Sequence, residues 1–128
     1  MHASGKRALV AEDNAALCRV ISLTLRKTGL VVTACRDGLE AWERAQEEVF
    51  DLVVTDQQMP EMTGLELVER LRECDANRDA PVVLLTAKGM ELELDRLREE
   101  YGVDAMLAKP FSPTHLSKLA EQLLGVTV

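Results

Sequence analysis

Five short apolar runs, each followed by a stretch with helical periodicity, constrain this chain more than any other feature. The runs are Ala8-Leu9-Val10-Ala11, Leu30-Val31-Val32, Leu52-Val53-Val54, Val82-Val83-Leu84-Leu85 and Val103 through Leu107. Each is of strand length, and most are rich in β-branched residues. The first, third and fourth are apolar throughout, as strands covered on both faces must be. The second fades into Thr33-Ala34-Cys35 and the fifth contains Asp104, patterns that suit the edges of a sheet. Pro81 is tolerated at the start of the fourth strand, where a missing N–H does little harm.

Amphipathic stripes fill the intervals. Leu17, Val20, Ile21 and Leu25 make the first, which Gly29 stops; Ala41, Trp42, Ala45 and Val49 make the second. Leu67, Val68 and Leu71 make the third, opened by Thr63-Gly64, and Met90, Leu94, Leu97 and Tyr101 the fourth, stopped by Gly102. The fifth holds Leu116, Leu119, Ala120 and Leu123, with Ser112 as cap and Pro113 as first helical residue. Strands alternating with helices predict an α/β fold, a doubly wound parallel sheet with right-handed crossovers and helices on both faces. One (βα)5 domain over residues 7–126 accounts for the chain, with tails at 1–6 and 127–128. A length of 128 residues suits one such domain and is too short for two.

Charge and cysteine usage exclude several functions. Fifteen Lys and Arg against 22 Asp and Glu give a net charge of −7, which argues against direct nucleic-acid binding, since that needs a basic face. Cys18, Cys35 and Cys74 are widely spaced, and His2 and His115 lie far apart, a poor basis for disulfides or a zinc site. No apolar run reaches membrane length and residues 1–7 lack a signal-peptide core, so a cytoplasmic location is expected.

Sheets of this kind bind ligands at the carboxyl ends of their strands. There the first strand delivers Glu12 and Asp13, the third Asp56, the fourth Thr86 and the fifth Lys109. Crowded carboxylates repel one another unless a cation sits among them, and hard oxygen ligands with room for water suit Mg²⁺. A lysine beside them is suited to hold an incoming anion. A carboxylate, a divalent metal, a lysine and a hydroxyl can together handle a phosphoryl group, with the carboxylate as nucleophile. Taken singly, each residue also has an ordinary reading. The acids could cap the first helix, Asp56 could precede a turn at Pro60, Thr86 could end a strand, and Lys109 could be a loop lysine.

The set Leu9-Val10-Ala11-Glu12-Asp13-Asn14, Asp56 through Gly64, Leu85-Thr86-Ala87 and Lys109-Pro110-Phe111 resembles the receiver domain of two-component response regulators, in order and over nearly the whole chain. The resemblance implies a flavodoxin-like sheet of strand order 2-1-3-4-5. It implies that Asp56 is the phosphoacceptor and that Glu12, Asp13, Asp56 and the main-chain carbonyl of Gln58 hold Mg²⁺. Lys109 would contact the phosphoryl oxygens, the Lys109–Pro110 peptide would be cis, and Thr86 would draw its loop inward on phosphorylation. The implied partner is a histidine kinase or phosphotransfer protein, and the implied role is a switch that catalyses only its own phosphorylation and dephosphorylation. A downstream partner, a fused output domain and a dimer through the fourth helix, fifth strand and fifth helix also belong to this expectation. The alternatives are a phosphorylation-independent interaction module on the same fold and a Mg²⁺-dependent phosphatase or nucleotide enzyme; against the latter, the chain lacks the GxxxxGK(S/T) phosphate loop and a DxD nucleophile pair on one strand.

Two departures from the family pattern stand out. The first acid is Glu12 where Asp is commoner, and Met106 stands where many receivers carry Tyr or Phe. Methionine has no hydroxyl and is flexible, so phosphorylation is expected to move Thr86 while reshaping the last strand less decisively. Gln58 and Lys88, each two residues past a site residue, are expected to tune hydrolysis: Lys88 by pairing with Glu12 or occluding water, Gln58 by orienting water. The net expectation is slow hydrolysis. Exposed Leu92 beside Met106 would make a modest apolar patch, whereas His115 is read as a solvent-facing residue without chemistry.

Overall fold

The computed structural model describes residues 5–87 and 89–125. Strands β1 (Arg7–Ala11), β2 (Val31–Cys35), β3 (Leu52–Asp56), β4 (Val82–Thr86) and β5 (Ala105–Ala108) alternate with helices α1 (Ala15–Lys27), α2 (Gly38–Glu47), α3 (Gly64–Arg72), α4 (Leu94–Tyr101) and α5 (Pro113–Leu124). All four strand pairings are parallel, in the order β2-β1-β3-β4-β5. The weakly apolar second and fifth runs are therefore the edges, and the three solid runs are the interior strands. The order reverses between β1 and β3, which puts the ends of those two strands side by side.

Alternation along the strands sorts the core into two layers, as the pleat requires. Leu9, Val53, Val82 and Leu84 pack with Leu67, Val68, Leu71 and Leu97 on one face. Val10, Val54, Val83 and Leu85 pack with Ile21, Leu25 and Leu116 on the other. The sheet is covered on both sides, which is why its central strands carry no polar alternation.

Local signals set the helix ends. Asn14 and Asp37 cap α1 and α2, Thr63 and Glu66 form a reciprocal capping box on α3, and Ser112 caps α5 with Pro113 following. Gly102 ends α4 at a φ of 75°, a left-handed conformation that glycine adopts without strain.

Several expectations need correction. Val20 is 42% exposed, because the buried side of α1 runs through Cys18, Ile21, Ser22 and Leu25. Val49 lies past the end of α2 and is 59% exposed. Met90 opens a 3₁₀ turn, Met90–Glu93, ahead of α4. Val103 is buried but precedes β5, because Asp104 turns its carboxylate to the Val82 amide at 2.8 Å. The expected boundary at residue 126 lies outside the described residues. Among the described residues no helix is long and apolar enough to cross a membrane.

Candidate functional site

Because β1 and β3 are neighbours in register, Val10 opposite Val54 and Ala11 opposite Thr55, their next residues leave the sheet together. Glu12 follows β1, and Asp56 is the last residue of β3. The Glu12 amide donates to the Cys35 carbonyl at 3.0 Å, which extends the ladder to β2 by one bond and turns the Glu12 side chain inward. Glu12, Asp13 and Asp56 each place a carboxylate oxygen within 4.8 Å of the others. Glu12 and Asp56 are buried and Asp13 is exposed.

The helix-capping reading of the acids does not hold. The α1 cap is Asn14, whose Oδ1 accepts from the Leu17 amide at 2.9 Å, and the first turn of α1 has no acid. Glu12 instead accepts from the Asn14 amide at 3.1 Å through Oε2.

Lys109 follows β5 and crosses the carboxyl end of β4. Its Nζ lies 2.6 Å from Asp56 Oδ2 and 3.5 Å from Glu12 Oε1. The Lys109–Pro110 peptide is cis, and the Lys109 amide donates to the Thr86 carbonyl at 2.8 Å. The other acceptor oxygen, Asp56 Oδ1, takes the Gln58 amide at 3.3 Å. Thr86 ends β4 with its hydroxyl buried and, among the described residues, without a hydrogen-bond partner. A cleft of about 570 Å³ lined by Asp13, Gln58, Thr86 and Met90 opens beside these groups.

Electrostatics follow from this crowding. Burial pushes the Glu12 carboxyl up to about 7; the Asn14 amide and Lys109 oppose that rise, while the Asp56 charge and the adjacent Asp13 carboxylate add to it. Burial works against the charge of Lys109, yet the hydrogen bond and charge of Asp56, together with Glu12, hold its ammonium above the ordinary lysine range.

The donor set fits a small hard cation. Three carboxylates converge, one of them exposed, and Glu12 Oε1 is buried with no hydrogen-bond donor to it among the described residues. Oxygen ligands with an open side are what Mg²⁺ takes, since it keeps several waters.

The structure thus brings Glu12, Asp13, Asp56, Gln58, Thr86 and Lys109 to one rim. Met106 stands apart on β5, opposite Leu84 and partly buried against the α3–α4 face. Lys88 lies outside the described residues. His115 is exposed on α5. Two residues were passed over in the sequence. Gly64, read as a turn glycine, starts α3 directly under the acceptor: a Cβ there would sit 2.4 Å from the Asp56 carbonyl oxygen. Gln57 holds two amides of α3. Neither contact has a sequence signal of its own, because both depend on how closely α3 approaches β3.

The family model of the response regulator receiver domain matches residues 8–121. Chemotaxis protein CheY1 of Helicobacter pylori is 33% identical over 119 residues, which cover 91% of this chain and 95% of that protein. Probable transcriptional regulator ycf29 of Porphyra purpurea is 37% identical over 117 residues, 91% of this chain and 55% of that protein. Among solved structures, the chemotaxis response regulator CheY4 of Vibrio cholerae superposes with a TM-score of 0.85 at 31% identity, covering 93% of this chain and 98% of that one. The receiver domain of sensor histidine kinase PA1611 from Pseudomonas aeruginosa, with a magnesium ion coordinated in its active site cleft, superposes with a TM-score of 0.83 at 28% identity, covering 95% and 99%.

The chain belongs to the response regulator receiver family, whose fold is the flavodoxin-like (βα)5 sheet seen here. Receiver domains are signalling switches of two-component systems and not enzymes that turn over a metabolite.

Proposed function

We propose that this domain is a phosphorylation-activated switch. Asp56 accepts a phosphoryl group from a phosphohistidine of a histidine kinase or phosphotransfer protein, with Mg²⁺, and later loses it by self-catalysed hydrolysis. The observation that carries this reading is the 2.6 Å contact between Lys109 and the buried Asp56 inside a cluster of three carboxylates. A structural ion pair would not need two further acids around it.

Glu12, Asp13, Asp56 and the Gln58 carbonyl would hold the metal. Bound Mg²⁺ supplies positive charge that offsets the carboxylates and the phosphoryl oxygens. Asp56 provides the nucleophile: a carboxylate oxygen forms the new P–O bond as the donor's P–N bond breaks, and the electron pair leaves on the imidazole nitrogen. Lys109 shifts its ammonium from the carboxylate to the phosphoryl oxygens and stabilises their charge through the transfer. Thr86, with a buried hydroxyl free of partners among the described residues, donates to a phosphoryl oxygen and draws the β4–α4 segment inward. Water then attacks phosphorus, the acyl phosphate opens, and Asp56 returns as a carboxylate with release of inorganic phosphate. Gln58, whose backbone adjoins the acceptor, tunes that hydrolysis, and Lys88 joins it in this reading.

The switch acts in the cytoplasm through protein contact. Its output face is formed by α4, β5 and α5, and Leu92, in the 3₁₀ turn that leads into α4, is 87% exposed beside it. A downstream partner, an attached output domain or a second copy docks there.

Intact-mass measurement after incubation with Mg²⁺ and acetyl phosphate tests the reading, with Asp56→Asn alongside. One added phosphoryl group, absent without Mg²⁺ and in the variant, is the expected result. No adduct, even with rapid quenching, would shift the assignment to a phosphorylation-independent interaction module.

A further inference from the structure

The residue after the acceptor is a glutamine, and three of its polar atoms bond structure around the site. Its backbone amide donates to the Leu85 carbonyl of β4 at 2.9 Å, and its carbonyl accepts from the Gly64 amide at 3.1 Å. Its side-chain Oε1 accepts from the Leu65 amide at 2.8 Å. The first three amides of a helix have no partner within it and must find one elsewhere. In α3 the third, Glu66, bonds the Thr63 hydroxyl of the capping box. The first two, Gly64 and Leu65, both bond Gln57. Two of these three bonds are therefore supplied from beside the acceptor.

We infer that Gln57 is a positioning residue for the metal and phosphoryl site: its carboxamide clamps the start of α3 to the end of β3 and so holds the Gln57–Gln58 peptide in place. The inference rests on the proposed function for the meaning of that site. The peptide is held at both ends. Its carbonyl takes the Gly64 amide, and its N–H, that of Gln58, points at Asp56 Oδ1 at 3.3 Å. The Gly64 bond can form only if α3 stays pressed against Asp56, and Gly64 leaves no room for a Cβ between them. Helix α3 is itself anchored in the core through the fully buried Leu67, Val68 and Leu71. Through the Leu65 bond, Gln57 thus references the acceptor loop to a rigid element. Without that bond α3 keeps its core contacts but its first turn is free to lift. The Gln58 carbonyl, the expected main-chain metal ligand, then loses its fixed direction.

Two variants separate the clamp from mere bulk. Gln57→Met keeps length and removes the acceptor atom; Gln57→Glu keeps an acceptor oxygen for Leu65. Amide hydrogen exchange on the metal-free protein and calorimetric titration with Mg²⁺ alone are the readouts. Gln57→Met is expected to speed exchange at Gly64 and Leu65 while Val68 and Leu71 stay protected, and to weaken Mg²⁺ binding by about fivefold, the scale of one uncharged hydrogen bond. Gln57→Glu is expected to restore slow exchange at Leu65; its added charge excludes it from the Mg²⁺ comparison. Unchanged exchange at Leu65 in Gln57→Met, or unchanged Mg²⁺ affinity, overturns the inference. If both shifts occur but wild type takes no phosphoryl group, the proposed function fails and the clamp stands.

Discussion

Lys109 Nζ sits 2.6 Å from Asp56 Oδ2 and 3.5 Å from Glu12 Oε1, so one ammonium is shared by two buried acids of a three-acid cluster. Lysine and an incoming divalent cation therefore compete for the same carboxylates, although both favour a phosphoryl group once it arrives. That conflict gives Lys109 two opposite effects in one site.

Replacing Lys109 separates them. Lys109→Ala leaves the acids with more uncompensated charge, so Mg²⁺ binding should tighten by about tenfold, a modest figure because the lysine is one-third exposed and screened. Phosphorylation from acetyl phosphate should slow by roughly 100-fold, the usual scale for removing one charge-stabilising donor. Calorimetry with Mg²⁺ and a mass-spectrometric time course measure the two. A variant whose metal affinity and rate fall together would contradict this division of roles.

Glu12 makes the site sensitive to pH near neutrality. Its carboxyl titrates at about 7, so the folded chain holds a proton that the unfolded chain has already released. The stability this gives the metal-free protein is complete below the ordinary carboxylate range and is lost as pH rises through about 7. Metal binding needs the charged form and runs the other way. Mg²⁺ affinity should rise about tenfold between about pH 6 and about pH 8, with little of that slope left in Glu12→Gln. Thermal melts with and without Mg²⁺ at both pH values give the check: the metal should stabilise more at the higher one.

What the sequence made legible divides along physical lines. The parallel sheet with its two edge strands, and the gathering of Glu12, Asp56, Thr86 and Lys109 at strand ends, were readable from solid β-branched runs and chain polarity, whereas the strand order came only with the resemblance to receiver domains. Val20 and Val49 are exposed for different reasons: at Val20 the helical stripe is wider than the face a neighbour covers, and at Val49 the helix has already ended at Glu47. Gln57, Gly64 and Asn77 were invisible as functional or structural anchors because their partners are backbone atoms. Backbone hydrogen bonds have no residue type, so no pattern in the sequence marks their other half.

Asn77 gives the strongest stability prediction of that hidden class. It is 1% exposed in the loop between α3 and β4. Its Oδ1 accepts from the Phe50 amide at 2.7 Å, and its Nδ2 donates to the Ala45 and Glu48 carbonyls at 2.7 and 2.9 Å. Asn77→Ala strands three main-chain groups around the end of α2 and should cost about 3 kcal/mol in urea denaturation. A loss under about 1 kcal/mol would mean that water reaches those groups and that the loop is less closed than it stands here.

Met106 decides how far a change at Thr86 spreads. It pairs across from Leu84, while Thr86 pairs with Ala108 two residues on, so Met106 and Thr86 are diagonal neighbours between β4 and β5. Diagonal pairs are within reach of an aromatic side chain. A thioether offers Thr86 no hydrogen-bond donor and adapts its shape to whatever the hydroxyl does, so the movement should stop at β4. Met106→Tyr adds a rigid ring and a hydroxyl that must follow when the threonine turns. Hydrogen exchange over Ala105–Ala108, with and without acetyl phosphate and Mg²⁺, compares the two proteins. Wild type should show its phosphorylation-dependent change around Thr86 and little in β5, whereas the variant should carry the change into β5. An equal response of β5 in both would show that the backbone, through the Lys109 amide on the Thr86 carbonyl at 2.8 Å, transmits the movement without help from residue 106.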